Sequence, residues 1–89
     1  MKTIEKCLKE MISWVKNSPR DLSYELMTFN NIEFMCDSEE GTIEELYNPE
    51  VDIDIEIGVY NNTKYVRGGR TFAVEHKGKV YNFSYVGDI

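Results

Sequence analysis

Val51-Asp52-Ile53-Asp54-Ile55-Glu56-Ile57-Gly58-Val59 alternates an apolar residue with an acidic or small one at every step. A period of two places the valines and isoleucines on one face of a strand and Asp52, Asp54 and Glu56 on the other. Successive carboxylates on that second face would stand about 6.6 Å apart. After Tyr60 comes Asn61-Asn62, a pair suited to a two-residue hairpin turn, and Thr63 to Arg67 reads as the return strand. Gly68-Gly69 reverses the chain into Thr71 to His76, and Lys77-Gly78 reverses it again into Lys79 to Val86, where Tyr81, Phe83 and Tyr85 share a face. The C-terminal half therefore predicts a four-stranded antiparallel meander.

Such a sheet needs a cover, and the N-terminus supplies one. Ile4, Cys7, Leu8, Met11, Ile12 and Val15 recur at helical spacing, with Lys2, Glu5, Lys6, Lys9, Glu10, Ser13, Lys16 and Asn17 opposite. Trp14 lies at one margin of the stripe and widens it enough to lie across a curved sheet. The helix ends near Asn17, because Ser18-Pro19 disfavours its continuation.

Residues 19–36 admit two readings. Ser18 as N-cap, Pro19 at the first helical position and Asp21 would open a second helix, with Leu22, Leu26 and Phe29 on one side. Against it, Tyr24, Thr28, Phe29, Ile32 and Phe34 favour strand, and Ile32, Phe34 and Cys36 alternate with Glu33, Met35 and Asp37. The alternation supports extended structure over residues 23–36, turned at Asn30-Asn31. Residues 37–50 carry turn signals at both ends and read as a connection. Within it Thr42 and Glu45 fit a capping box for one helical turn from Ile43 to Tyr47, before Pro49 stops it. The expected fold is α+β: one domain over residues 1–89, an N-terminal amphipathic helix packed on a four- to five-stranded antiparallel sheet.

At 89 residues there is room for one core, and a 42% hydrophobic fraction is that of a folded chain. No apolar run approaches the roughly 18 residues of a membrane span, and the first residues lack the apolar stretch of a signal peptide. The cytoplasm is the expected compartment. Cys7 and Cys36 both fall at core positions and read as buried thiols rather than a disulfide framework.

Sites of chemistry are sparse. His76 is the sole histidine and there is no CxxC, so a zinc ligand set is lacking. Glu75-His76 has no nucleophile or paired carboxylate at a defined spacing. Asp37-Ser38-Glu39-Glu40-Gly41 departs from the ligand order of a calcium loop. Arg67-Gly68-Gly69-Arg70 flanks a turn with two guanidiniums that could grip a phosphate or carboxylate, without the pattern of a P-loop. Tyr60, Tyr65, Tyr81 and Tyr85 suit packing or a protein interface, since aromatic platforms for bases sit in a basic field. Neither an enzyme nor a cofactor is expected.

The distribution of charge is the distinctive feature. Residues 1–20 hold five basic and two acidic residues, net +3, and residues 61–89 repeat that balance. Between them residues 21–60 carry 12 carboxylates and no Lys or Arg. A same-sign block repels itself, so a use beyond solubility is worth testing. A regular row of anions on a sheet could occupy a basic groove built for the phosphates of DNA or RNA. The candidate partner-binding residues are Asp37, Glu39, Glu40, Glu44, Glu45, Asp52, Asp54 and Glu56. The competing reading is that these residues only solvate the outer face of a one-sided sheet.

Small size, a net charge of −6, an acidic block on an α+β scaffold and six tyrosines resemble the small acidic anti-defence proteins of phages, including anti-CRISPR proteins that mimic DNA. The resemblance is one of size and composition and carries no alignable motif, so no residue role follows from it. It implies a non-enzymatic inhibitor that docks on a basic, nucleic-acid-binding protein such as a nuclease complex and blocks its substrate site. It allows the host cytoplasm of a phage-infected bacterium as the compartment. No direct contact with nucleic acid is expected, because the net field repels phosphate, and none with membrane, because no apolar span is present. This chain departs from a pure mimic in keeping basic ends. The alternative function is a structural or self-associating small domain, for instance a homodimer paired through an edge strand.

Overall fold

Three dipeptides at the hairpin tips set the reversals of the chain. Asn30-Asn31 (φ 50° and 65°), Asn61-Asn62 (φ 52° and 58°) and Lys77-Gly78 (φ 50° and 79°) each place two successive residues in the left-handed region. That is the conformation whose twist matches a two-residue hairpin, and asparagine and glycine reach it at least cost. The computed structural model describes residues 3–17, 20–48, 50–51 and 54–87. The elements run α1 (Thr3–Asn17), β1 (Glu25–Phe29), β2 (Ile32–Glu40), α2 (Ile43–Leu46), β3 (Glu56–Tyr60), β4 (Thr63–Arg67), β5 (Thr71–His76) and β6 (Lys79–Tyr85).

The α+β class and the helix-on-sheet arrangement are as expected. The strand count is not: among the described residues six antiparallel strands form one sheet, in the order β1-β2-β6-β5-β4-β3. The meander β3 to β6 is present, and the first hairpin joins it through β2 against β6. Residues 25–40 are thus extended, as the alternation of Ile32, Phe34 and Cys36 indicated, and the second-helix reading is not adopted. β2 runs past the expected turn at Asp37. Asp37, Ser38, Glu39 and Glu40 stay in the strand because each is in register with β6, on Asn82, Tyr81, Val80 and Lys79.

The stretch 51–59 needs the largest correction. Among its described residues the strand begins at Glu56 and runs to Tyr60; Val51 is 72% exposed, and Asp54 lies in a turn. Asp52 and Ile53 lie outside the described residues, as do Ser18, Pro19 and Pro49. β3 is an edge strand whose sole neighbour is β4, and β4 stops at Arg67, where Gly68 N–H donates to the Thr71 carbonyl at 2.8 Å and turns the chain. Glu56 is in register with Arg67, so Asp54 and Ile55 find no ladder to join. Ile55 packs over Gly68 instead, where an added Cβ would come within 3.3 Å of its methyl group.

The core has two layers, one on each side of the sheet. On the helix side, Cys7, Leu8, Met11, Ile12 and Val15 of α1 meet Phe29, Phe34, Cys36, Phe72, Val74, Tyr81 and Phe83. On the other side Ile43 of α2 is fully buried against Val66, Ala73 and Val80, with Tyr47, Ile55 and Ile57 at the margin. The sheet is therefore covered on both sides at β4, β5 and β6, not one-sided as polar-out alternation would require.

Both thiols are buried, Cys36 completely. Burial first, then the charges of Asp37 and Glu25, push Cys36 up to about 12, and burial together with Glu10 raises Cys7. The sign follows: each thiol stays protonated in the fold, so its contribution to stability is complete below the ordinary value of 9.0 and drains away as pH rises toward the folded value. Iodoacetamide at pH 8 is expected to leave both cysteines unmodified in the native protein and to alkylate both in urea, read as added mass. Alkylation at equal rates in both conditions would contradict the burial.

Candidate docking surface on the outer side of the sheet

Strand alternation assigns every strand residue to a side. Ile32, Phe34 and Cys36 point under α1, so Glu33, Met35, Asp37 and Glu39 of β2 point to the outer side. Register extends that side across the sheet. Leu26 lies opposite Met35, which is opposite Ser84; Thr28 lies opposite Glu33; Asn82 lies opposite Asp37, and Ala73 opposite Asn82. Over β5, β4 and β3 this side continues with Glu75, Lys64, Val66, Ile57 and Val59, the part that α2 and its flanks cover. Its β1 and β2 end is open.

α2 is held over this side by its own local chemistry. Thr42 and Glu45 form the reciprocal capping box the sequence suggested: the Thr42 hydroxyl accepts from Glu45 N–H, and the Glu45 carboxylate accepts from Thr42 N–H at 3.1 Å. The Ile43 N–H donates to the Glu75 carboxylate at 2.7 Å, which fixes the start of the turn onto β5. Beyond the helix the Tyr47 hydroxyl donates to Asn82 Oδ1 at 2.6 Å.

Asn82 is the hinge of the polar arrangement. While its oxygen takes Tyr47, its Nδ2 donates to Asp37 Oδ1 at 2.8 Å and to Glu39 Oε2 at 3.0 Å. One amide thus draws two carboxylates together, against their mutual repulsion, beside Glu33 in the same row. Lys64 is the one basic strand residue on this side, and it is occupied by Glu44 of α2 at 2.5 and 2.9 Å. The Glu44 carboxylate accordingly raises the Lys64 ammonium above its usual value.

Of the eight candidate residues, four share the outer side: Asp37 and Glu39 on β2, Glu44 and Glu45 on α2. Glu40 takes the helix side, in register with Lys79, and Glu56 takes that side in register with Arg67. Asp54 stands in the turn before β3, and Asp52 is outside the described residues. Asp54 and Glu56 of the expected ladder therefore do not form a row on this surface. The basic ends also neutralise part of the block. Asp21 pairs with Lys79, Glu25 binds Arg20 through both oxygens at 2.8 Å, and Glu44 pairs with Lys64. Arg20 in turn holds Glu25 below the usual carboxylate range.

Sequence reasoning missed Glu33, Asn82, Leu26 and Met35. The alternation over residues 32–37 already placed Glu33, Met35 and Asp37 on one side, and that side needed only to be followed across the sheet. Leu26 is 59% exposed there, and Tyr24, just before β1 at φ 52°, is 75% exposed. A side chain of that size in the left-handed region is uncommon. His76, weighed as a base, ends β5 on the helix side, where burial, then Lys77 and Lys16, lower it below its ordinary value. Among the described residues no helix is long and apolar enough to cross a membrane, and no three metal-ligating side chains converge. Comparison with protein-family models, curated proteins and solved structures finds no match to the chain.

Proposed function

We propose that the chain is a non-enzymatic protein-binding module that docks on a basic protein surface, of the kind that binds nucleic acid, through the outer side of its sheet. The observation that carries this reading is the Asp37 and Glu39 pair gathered by Asn82. It stands in one row with Glu33, next to the exposed Leu26 and the half-buried Met35 opposite it. An apolar centre with a charged surround is the ordinary composition of a specific interface. Like-signed carboxylates around it steer a basic partner and repel acidic ones. The inhibitor and DNA-mimic reading is the special case in which that partner's groove ordinarily holds phosphates; the acidic row of β2, not that of residues 52–56, would then stand in for them.

The test is capture of basic nucleic-acid-binding proteins by the wild type and by E33K/D37K/E39K, with duplex DNA as competitor and salt varied. Reversing three charges against a basic surface is expected to weaken binding at least about a hundredfold, since like-charge contacts cost several kcal/mol. Binding should also fall steeply with salt and with added DNA. Glu5→Lys on α1 is the control and should change little. Capture indifferent to salt, DNA and the triple reversal would overturn the reading.

One observation favours a second reading, self-association. β1 is an edge strand, and Leu26 on it is exposed, the combination that invites pairing with another copy. A strictly monomeric mass by light scattering across a concentration series would remove it.

A further inference from the structure

On the helix side, at the end where α1 begins, a cavity of about 250 Å3 opens between the helix and the sheet. Its walls are Cys7, Phe34, Phe72 and Tyr85, with Ile4 at the rim and Arg70 at the mouth. Phe34 stands edge-on to Phe72 with ring centroids 6.0 Å apart, and tilted to Tyr85 at 6.1 Å. These contacts hold the rings against one another along the cavity wall. Ile4 belongs to the apolar stripe of α1 yet is 46% exposed, because the stripe here overhangs the opening instead of meeting the sheet. Water gains little in such a place, since apolar walls offer it few of the two to four partners it needs.

The mouth carries the one cation of the lining. Arg70 Nη2 donates to the carbonyls of Gly87 at 2.9 Å and Tyr85 at 3.3 Å, and its guanidinium sits 5.1 Å from the centre of the Tyr85 ring. Backbone and ring thus fix its position. Among the described residues no carboxylate pairs with it, in contrast to Arg20, Lys64 and Lys79. A guanidinium has five N–H groups, and its bonds to the described residues use Nη2, which leaves Nη1 and Nε to face a planar acceptor. In a chain of net charge −6, a guanidinium held by backbone and ring, with no carboxylate partner among the described residues, gives the rim of this aromatic cavity a local positive charge.

We infer that this cavity binds a small monocarboxylic acid with an apolar body, its ring or chain among Phe34, Phe72 and Tyr85 and its carboxylate on Arg70. Size sets the body: a cavity of roughly 150 Å3 takes benzene, so this one takes a ring with a short chain. Charge sets the head: one guanidinium matches a monoanion, whereas a phosphate dianion would call for a second cation. The site lies on the opposite side of the sheet from the docking surface, and neither depends on the other.

The experiment is titration of the 15N-labelled protein with 3-phenylpropionate and, in parallel, with its neutral amide, followed by amide chemical shifts. The acid should give saturable shifts at Ile4, Cys7, Phe34, Phe72 and Tyr85, with Glu33, Asp37 and Glu39 unmoved. It should bind about tenfold tighter than the amide, the worth of one charge-assisted pair. Arg70→Gln should erase that preference while the amide still binds; dispersed spectra of the variant confirm that it is folded. Arg70→Lys should keep part of the preference. Absence of saturable shifts with the acid at millimolar concentration, shifts centred elsewhere, or a preference that survives Arg70→Gln would each overturn the assignment.

Discussion

Phe83→Ala is expected to remove about 3–5 kcal/mol of stability, the cost of truncating a fully buried aromatic side chain. A small domain holds roughly 5–15 kcal/mol in all, so this one change takes a large share of it. The reason is position. Phe83 is completely buried on β6, the strand that joins the N-terminal hairpin to the meander. Its neighbours in register are Cys36 on β2 and Phe72 on β5, and it stands edge-on to Phe29 with centroids 5.3 Å apart. Truncation leaves a hole where three strands and the helix meet, and the ladder on either side prevents the backbone from closing it. Urea unfolding should show a much lower midpoint with an unchanged slope. The midpoint of thermal unfolding should fall by on the order of 20 °C. Val86→Ala, at a half-exposed position, should change stability by less than about 0.5 kcal/mol. A loss at Phe83 no larger than that at Val86 would mean that the helix-side core is not packed as described.

Where the sequence was readable, the determinants were local. The stripe of α1 follows from Ile4, Cys7, Leu8, Met11, Ile12 and Val15 alone, and five of those six are buried. Asn30-Asn31, Asn61-Asn62 and Lys77-Gly78 announce their turns because few residue pairs tolerate two left-handed backbones in succession. Thr42 and Glu45 announce their cap for a similar reason.

What could not be read depended on partners distant in the chain. Alternation tells which side chains share a face if a strand forms, but not whether a neighbouring strand is long enough to receive it. For Val51, Asp54 and Ile55 it is not, because β4 turns away after Arg67. Asp37 to Glu40 looked like a turn by composition and is strand because β6 lies alongside. The candidate surface changed accordingly: Glu40, Asp54 and Glu56 left it, while Glu33 and Asn82 entered. The second core layer did leave a mark. Phe72-Ala73-Val74 and Val80-Tyr81 are consecutive apolar residues inside strands, which a sheet covered on one side alone does not produce.

That second layer makes Ile43→Ala the more telling substitution, with an expected loss of about 2–5 kcal/mol. Ile43 is fully buried, and it is the anchor by which the long connection between β2 and β3 reaches Val66, Ala73 and Val80. Among the polar ties of this segment to the sheet are the Glu75 carboxylate on the Ile43 N–H, the Gly41 N–H on the Gly78 carbonyl, the Tyr47 hydroxyl on Asn82 and the exposed Lys64–Glu44 pair, and polar bonds near water hold less than a buried side chain. The loss should therefore be local before it is global. In hydrogen exchange, the Tyr47 amide, which donates to the Ile43 carbonyl at 2.8 Å, should lose protection well before the β5 and β6 amides do. Because Tyr47 also orients Asn82, release of the turn should loosen the Asp37 and Glu39 pair and weaken docking, although no residue of β2 is altered. Phe83→Ala, by contrast, should lower protection across the whole sheet. If Ile43→Ala left the exchange of Tyr47 unchanged, α2 would owe its place to its cap and polar ties alone, and the outer core would contribute little to the surface proposed for binding.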